Sequence, residues 1–299
     1  IRFVWEPARL QQLLAYARIA TNTNEAKRQQ ALSCLESQLV SFVADNPIYC
    51  GPHYVSAMEC SLRIVAVTHA LDMVRDHIVD REILWQSALS LIHSHAEFVS
   101  HRLSLFSSAG NHTIAECLGL IYAALLCPEF NRAEQWLQTA LPLLEREIDR
   151  QILLDGGGVE QSTWYHLLTT DMTILAAKLL QHYEQPSVVI TTAGQRAVDF
   201  LKVLASSPER LPLIGDSDSG YALSRYANLT FTNCDAIQRI SGIKTFSQSG
   251  LSVLSAADGQ RCVFKHGDFG MAPAFGHGHA DALSVTLAVG DVDFLVDPG

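Results

Sequence analysis

The sequence lacks most of the signatures that would disclose a chemistry at once. No uninterrupted apolar run reaches the roughly 18 to 20 residues of a membrane-spanning helix, so no membrane insertion is expected. There is no G-x-S-x-G elbow, Walker loop, dinucleotide-binding glycine fingerprint or H-E-x-x-H helix, which removes the common serine-hydrolase, nucleotide-dependent and zinc-peptidase readings. The seven cysteines (Cys34, Cys50, Cys60, Cys117, Cys127, Cys234 and Cys262) are odd in number, widely spread and never spaced C-x-x-C. They suggest neither a disulfide framework nor a thiolate zinc site, and read mostly as small buried apolar residues. That usage suits a reducing compartment, a periplasmic location with one or two bridges being the alternative. Charged residues are also scarce, at 17%, and the net charge of -10 opposes binding to nucleic acid or to an anionic membrane. A locally basic cleft would still admit an acidic substrate.

What is present is apolar surface. With 299 residues, 48% of them hydrophobic, the chain can bury a large core, and its length predicts one big domain plus part of another. From Arg9 to about Ser206 the apolar residues recur at three- and four-residue spacing. This predicts about eight amphipathic helices, over roughly 8–20, 24–45, 55–78, 81–105, 112–127, 131–152, 161–182 and 191–206. Breakers fall between them at Asn46-Pro47, Gly51-Pro52, Gly110-Asn111, Pro128, Gly156-Gly157-Gly158, Pro186 and Pro208. The stretch Thr113 to Cys127 is apolar nearly all round and predicts a central helix, while Pro142 should kink the helix that contains it.

Near residue 249 the period changes to two. Leu251 to Ser255 and Arg261 to His266, divided by Asp258-Gly259, read as one hairpin. Leu283, Val285, Leu287 and Val289, followed by Gly290-Asp291 and Val292 to Val296, read as another. The expected organisation is a helical domain over 1–240 and the first part of an antiparallel sheet domain over 241–299. The sheet is expected to continue beyond Asp297-Pro298-Gly299, because four short strands leave exposed edges.

Three clusters carry side chains suited to chemistry. In Gly276-His277-Gly278-His279-Ala280-Asp281, two histidines and a carboxylate occupy alternate positions before a strand, where they would face one way and act as metal ligands or as acid and base. The flanking glycines permit close backbone approach of a ligand. Asn111-His112 stands at the start of the apolar fifth helix. An N-cap asparagine is the plain reading, and an anion site at the helix N-terminus is the alternative. The segment Asp155-Gly-Gly-Gly-Val-Glu160-Gln161-Ser162-Thr163-Trp164-Tyr165-His166 joins a flexible or tightly turning glycine loop to a polar-aromatic helix start, whose rings serve packing or stack on sugars. Other candidates are weaker. Gly215 to Gly220 resembles the front of a calcium loop but lacks its glycine and its final Glu, and reads as a turn. His93, His95 and His101 lie on different helix faces. Glu59 and Arg63, four apart on one helix, can pair with each other, or the arginine can hold a substrate carboxylate.

These segments together resemble the heparinase II/III family of polysaccharide lyases over nearly the whole chain. The resemblance rests on Phe3-Val-Trp5-Glu-Pro7-Ala-Arg9-Leu, Asn46-Pro47 with Gly51, Ser56-Ala-Met58-Glu59 with Arg63, and NHTIAECLGL, DGGGVEQSTWYH, LPLIGDSDSG, GHGHADALS and VDPG in order. It implies a mainly α fold, an incomplete α/α toroid followed by the start of an antiparallel β-sandwich. It also implies a bacterial enzyme that cleaves an acidic, uronate-containing polysaccharide or oligosaccharide by β-elimination. On the matching positions, Asn111 and His112 would neutralise the uronate carboxylate, Tyr165 would protonate the leaving oxygen, and His277 would assist as base. Arg63, Gln161 and Trp164 are expected to bind substrate. His279 and Asp297 match ligands of a structural zinc, whereas alternation alone would nominate Asp281, and a further ligand is expected beyond Gly299.

Two rival functions follow from the same sequence. A toroid can carry a glycoside hydrolase using paired acids, here drawn from Glu59, Glu116, Glu160 and Asp171. A non-catalytic glycan-binding protein is the other.

Overall fold

The computed structural model describes residues 2–206, 210–216, 220–224, 241–256, 259–290 and 292–297. Pro208, Ser217 to Ser219, Cys234, Asp258, Asp291 and Pro298, used in the sequence reading, lie outside the described residues. Packing divides the chain into two compact units. One comprises Ile1–Leu144 with Leu223–Tyr226, the other Glu145–Ala222 with Ala227–Gly299.

The first unit is helical: α1 (Arg2–Ala8), α2 (Gln12–Thr21), α3 (Glu25–Asp45), α4 (Ala57–Val74), α5 (Glu82–Ser100), α6 (Asn111–Leu126) and the start of α7 (Ala133–Gln151). The spacing pattern located all of these to within a few residues except α1, which precedes the first expected helix and includes Pro7. As the sequence suggested, α6 is buried almost all round, and so is α4, against which it packs. Their crossing is close because position 119 is glycine: a Cβ there would lie 2.6 Å from that of Ser61. The assigned helix α7 continues through Pro142.

The expected pairing of Glu59 with Arg63 is replaced by longer-range partners. Glu59 receives both Nε and Nη2 of Arg9 at 2.8 Å. Arg63 donates its Nε–H to His95 Nε2 at 2.9 Å and its Nη groups to the carbonyls of Ala8 and His53, with the guanidinium also over the rings of Phe42 and Tyr54. Since Glu59 and Arg63 are both fully buried, each must find its partner in the interior, and helix spacing alone does not decide which.

The second unit joins the end of α7 to α8 (Thr163–His182), α9 (Val188–Leu204) and a five-stranded antiparallel meander. The strands are β1 (Gly242–Phe246), β2 (Leu251–Ser255), β3 (Gln260–Lys265), β4 (Val285–Val289) and β5 (Val292–Leu295), in that spatial order. Both hairpins of the sequence reading are present, and β1 is an addition. Ser162 and Ser187 cap α8 and α9, each hydroxyl accepting from a backbone N–H three residues on. Leu167, Phe200, Leu201 and Leu204 of the two helices close on Phe246, Leu251, Val253 and Val263 of the sheet in one apolar core. Arg261 of β3 donates to the carbonyls of Val203, Leu204 and Ala205, satisfying acceptors that the end of α9 leaves open.

Candidate functional site

The start of α8 is held by three loops of its own unit. Asp155 fixes the first. Its carboxylate accepts from the backbone N–H groups of Gln248 and Ser249, both at 2.8 Å, from Ser249 Oγ at 2.5 Å and from Gly157 N–H at 3.2 Å. Burial raises the pKa of this group, but the hydrogen bonds from Ser249, Gly157 and Gln248 outweigh it and hold the carboxyl below its ordinary range. The glycines that follow are not a flexible hinge. A Cβ on Gly156 would meet the Arg196 carbonyl at 2.2 Å, and one on Gly157 would meet Ser249 Oγ at 2.0 Å. The run is glycine because other parts of the chain press against it.

The second loop is Leu211 to Asp216. Thr163 N–H donates to Ile214 O at 3.0 Å, Thr163 Oγ1 to Pro212 O at 2.6 Å and Ser162 Oγ to Asp216 O at 2.6 Å. Gly215, at φ +68°, allows this approach: a side chain would collide with the carbonyls of His277 and Gln161. The third loop carries the histidine pair. Its Gly278 is required by the Phe269 carbonyl, which would lie 1.6 Å from a Cβ. The close approach expected from the glycine context is therefore made, at this position, by the protein's own backbone.

These loops bring Tyr165 and His277 together. The phenol and imidazole rings are stacked, with centroids 3.6 Å apart and planes 17° from parallel. His277 Nδ1 faces Asp216 Oδ2 at 3.2 Å, while the other carboxylate oxygen, Oδ1, faces His279 Nε2 at 3.1 Å. His279 Nδ1 in turn lies 2.8 Å from Asp297 Oδ2. Because an ionised carboxylate only accepts, the network assigns a proton to Nδ1 of His277, and two carboxylates face the ring of His279. The Asp297 hydrogen bond, partly offset by burial and reinforced by Asp216, raises the His279 pKa accordingly. Asp281 is spoken for elsewhere: it takes Lys265 Nζ at 2.5 Å in a buried ion pair.

The donor chemistry tests the expected zinc site. His279 and Asp297 are suitable ligand types and adjacent; a metal held by them would take the place of the proton on one imidazole nitrogen, the other being left to donate to a carboxylate such as Asp216. Among the described residues no group of three or more His, Cys, Asp or Glu side chains is arranged to hold a metal ion. The residues present supply two donors of such a site and do not by themselves complete a zinc shell.

The remaining candidates fall in several places. Asn111 and His112 are the first two residues of α6, in the other unit, with Asn111 buried and His112 half-buried. The cap position belongs to Gly110, so the N-cap reading of Asn111 is corrected. Arg63, expected to bind substrate, is fully buried and committed to interior partners, which makes it a scaffold of the helical unit. Trp164 turns to the apolar core, edge-on to Tyr221 at 6.1 Å, because it lies about 100° around the helix from Tyr165. Gln161, also expected at the substrate, donates its amide to the carbonyls of Gly158 and Ser249 and ties the first loop to the sheet. Asp216 is the residue that the sequence reading passed over. Its signals were an acidic turn and a place in the LPLIGDSDSG stretch that carries the resemblance, and the histidines it serves are 61 and 63 residues away.

A helical chain leading into an antiparallel meander, with a Tyr–His stack ordered by a carboxylate, defines a helix-plus-sheet class of protein. Comparison specifies it further. The Heparinase II/III N-terminus model matches residues 4–232 and the Heparinase II/III-like, C-terminal model residues 239–299, so the chain belongs to the heparinase II/III family. A heparin-sulfate lyase of Bacteroides stercoris is 34% identical over 115 residues, covering 37% of this chain and 17% of that protein. Its counterpart from Pedobacter heparinus is 27% identical over 148 residues, covering 47% and 22%. A crystal structure of heparinase III superposes with a TM-score of 0.73 at 20% identity, covering 98% of this chain and 50% of that one. Heparan sulfate lyase HepC from Pedobacter heparinus gives 0.61 at 19%, covering 99% and 49%. The fold class is therefore that of heparinase III, and the chain spans about half the length of these solved relatives.

Proposed function

We propose that the chain carries the catalytic centre of a lyase that cleaves a uronate-containing acidic polysaccharide by β-elimination. Heparan sulfate is the first substrate to test, since the relatives bear the name heparin-sulfate lyase. The observation that carries this reading is the Tyr165–His277 stack, which puts a phenol and an imidazole against each other at a helix start.

In the reaction a base removes the C5 proton of the uronate. The electron pair forms a C4=C5 double bond, the bond from C4 to the glycosidic oxygen breaks, and that oxygen departs with a proton. No water is consumed, and the new non-reducing end is an unsaturated uronyl group. The C5 proton is a weak acid until the charge spreading onto the carboxylate is stabilised, which is the part assigned to Asn111 and His112 at the start of α6. Tyr165 protonates the leaving oxygen, and as phenolate it can first take the proton in a syn elimination. His277 serves as base, or orients the sugar, in the opposite geometry. A structural zinc belongs to the proposal only with donors from outside the described residues, and no step passes through a metal.

The hydrolase alternative is weakened by two of its four candidate acids. Glu59 is paired with Arg9, and Glu116 is fully buried, accepting from Ser104 N–H and Oγ. The test is a panel of uronate polymers incubated with the full chain while ultraviolet absorbance follows the conjugated unsaturated product. New reducing ends without absorbance would mean hydrolysis, and glycan binding with no product would mean a binding protein.

A further inference from the structure

We infer that Asp216 is a positioning residue, one carboxylate that orients both loop histidines and fixes the tautomer in which His277 works. Its catalytic consequence rests on the lyase reading above, but its geometric content does not. All four polar groups of the residue are engaged with the site. Oδ2 takes His277 Nδ1 at 3.2 Å and Oδ1 takes His279 Nε2 at 3.1 Å. The backbone carbonyl accepts from Ser162 Oγ, the cap of the helix that carries Tyr165, and the backbone N–H donates to His277 O at 3.0 Å. The residue therefore touches the capping serine before Tyr165, the imidazole stacked on Tyr165, and the second histidine. The neighbouring Gly215 lets this segment lie between the His277 carbonyl and the α8 start, as no residue with a side chain could.

The chemical consequence follows from donor and acceptor capacity. A carboxylate cannot donate, so His277 must present Nδ1–H to it, and Nε2 remains the ring's acceptor, the form an acid–base imidazole needs. If the proton sat on Nε2 instead, Nδ1 would set a lone pair against an anion and the ring would turn away. An amide at position 216 offers one oxygen and one NH2 in place of two oxygens, so it cannot serve both rings in these roles.

The test is nitrogen-15 NMR of the histidine rings in the full chain, at a pH where the His277 ring is neutral, joined to kinetics. In the wild type the His277 ring should carry its proton on Nδ1. Asp216→Asn should shift the ring signals of both histidines and lower kcat about a hundredfold, with KM changed less than about threefold. Asp216→Glu, which restores two oxygens, should recover part of the rate and the wild-type ring pattern. A wild-type His277 protonated on Nε2 alone overturns the assignment without recourse to any variant. So does an Asp216→Asn protein of unchanged circular dichroism whose ring signals match the wild type. If the wild type converts no uronate polymer, the lyase reading fails while the ring measurement still decides the role of Asp216.

Discussion

The imidazole of His277 lies face to face on the phenol of Tyr165, although the two residues are far apart in sequence and belong to a loop and a helix start. Stacking at a centroid distance of 3.6 Å leaves no room for substrate between the rings, so a sugar must meet their edges, where the hydroxyl and the ring nitrogens are. Tyr165→Phe keeps the ring and removes its hydroxyl, the group that carries the exchangeable proton. Turnover should fall by about 10²- to 10⁴-fold, the usual contribution of a positioned acid–base group, with glycan affinity nearly unchanged. Asn111→Ala should weaken both affinity and rate. The assay is initial velocity by product absorbance beside equilibrium binding, and a phenylalanine variant with near-normal velocity would remove the phenol from the mechanism.

The loop that presents His277 is anchored a few residues on by Lys265 and Asp281, whose charged groups meet at 2.5 Å with almost no solvent exposure. Removing one partner strands the other charge in the interior. Lys265→Met should therefore lose about 3 to 5 kcal/mol of unfolding free energy, whereas Lys265→Met with Asp281→Leu should recover most of it. Urea denaturation of the two variants measures this. Equal losses would show that the pair is not isolated from water.

How much of this was readable in advance depended on the range of the interaction. Helices α2 to α9 and both hairpins emerge from spacing because their buried faces are set by residues three, four or two positions apart. Helix α1 did not, since its seven residues are too few to show a repeating apolar face. Partners at a distance were mostly misread. Arg63 looked paired with Glu59, but its ring partner His95 lies 32 residues away, and Glu59 goes to Arg9 at 50. The Gly156 to Gly158 run read as either a flexible or a tightly turning loop, because a sequence cannot show Arg196 and Ser249 pressing on it. His277 and Tyr165 stood out by residue type and family resemblance. Asp216, though inside the LPLIGDSDSG stretch, read only as part of a turn.

The Asp155 anchor gives the second unit an acid sensitivity. Its folded pKa lies below the ordinary carboxylate value of 3.8, so the stabilisation is fully present above that value and is lost as pH falls through the folded pKa. Asp155→Asn removes the charge that accepts from Gln248, Ser249 and Gly157. The variant should be less stable than the wild type at neutral pH, and the gap should close as the pH falls below about 4. Denaturant midpoints across that range decide it, and a gap independent of pH would mean the carboxylate is not what holds the loop.

Glu116 predicts the opposite slope in the first unit. It is buried in α6, where burial pushes its pKa up to about 7 despite hydrogen bonds from Ser104 N–H and Oγ. A folded pKa above the unfolded one means that the native state holds the proton longer. Stability is therefore highest at acid pH, declines as pH rises from the unfolded carboxylate value of 4.5, and levels off above the folded value near 7. The total decline attributable to this group is on the order of 3 kcal/mol. Glu116→Gln cannot ionise, so its stability should lack this component and exceed that of the wild type increasingly from pH 5 to about 8. Because Ser104 lies in the loop leading to Asn111, hydrogen exchange at the start of α6 should quicken over the same interval in the wild type and stay constant in the variant. Parallel stability curves for the two proteins would show that Glu116 is already ionised throughout, held by groups other than Ser104.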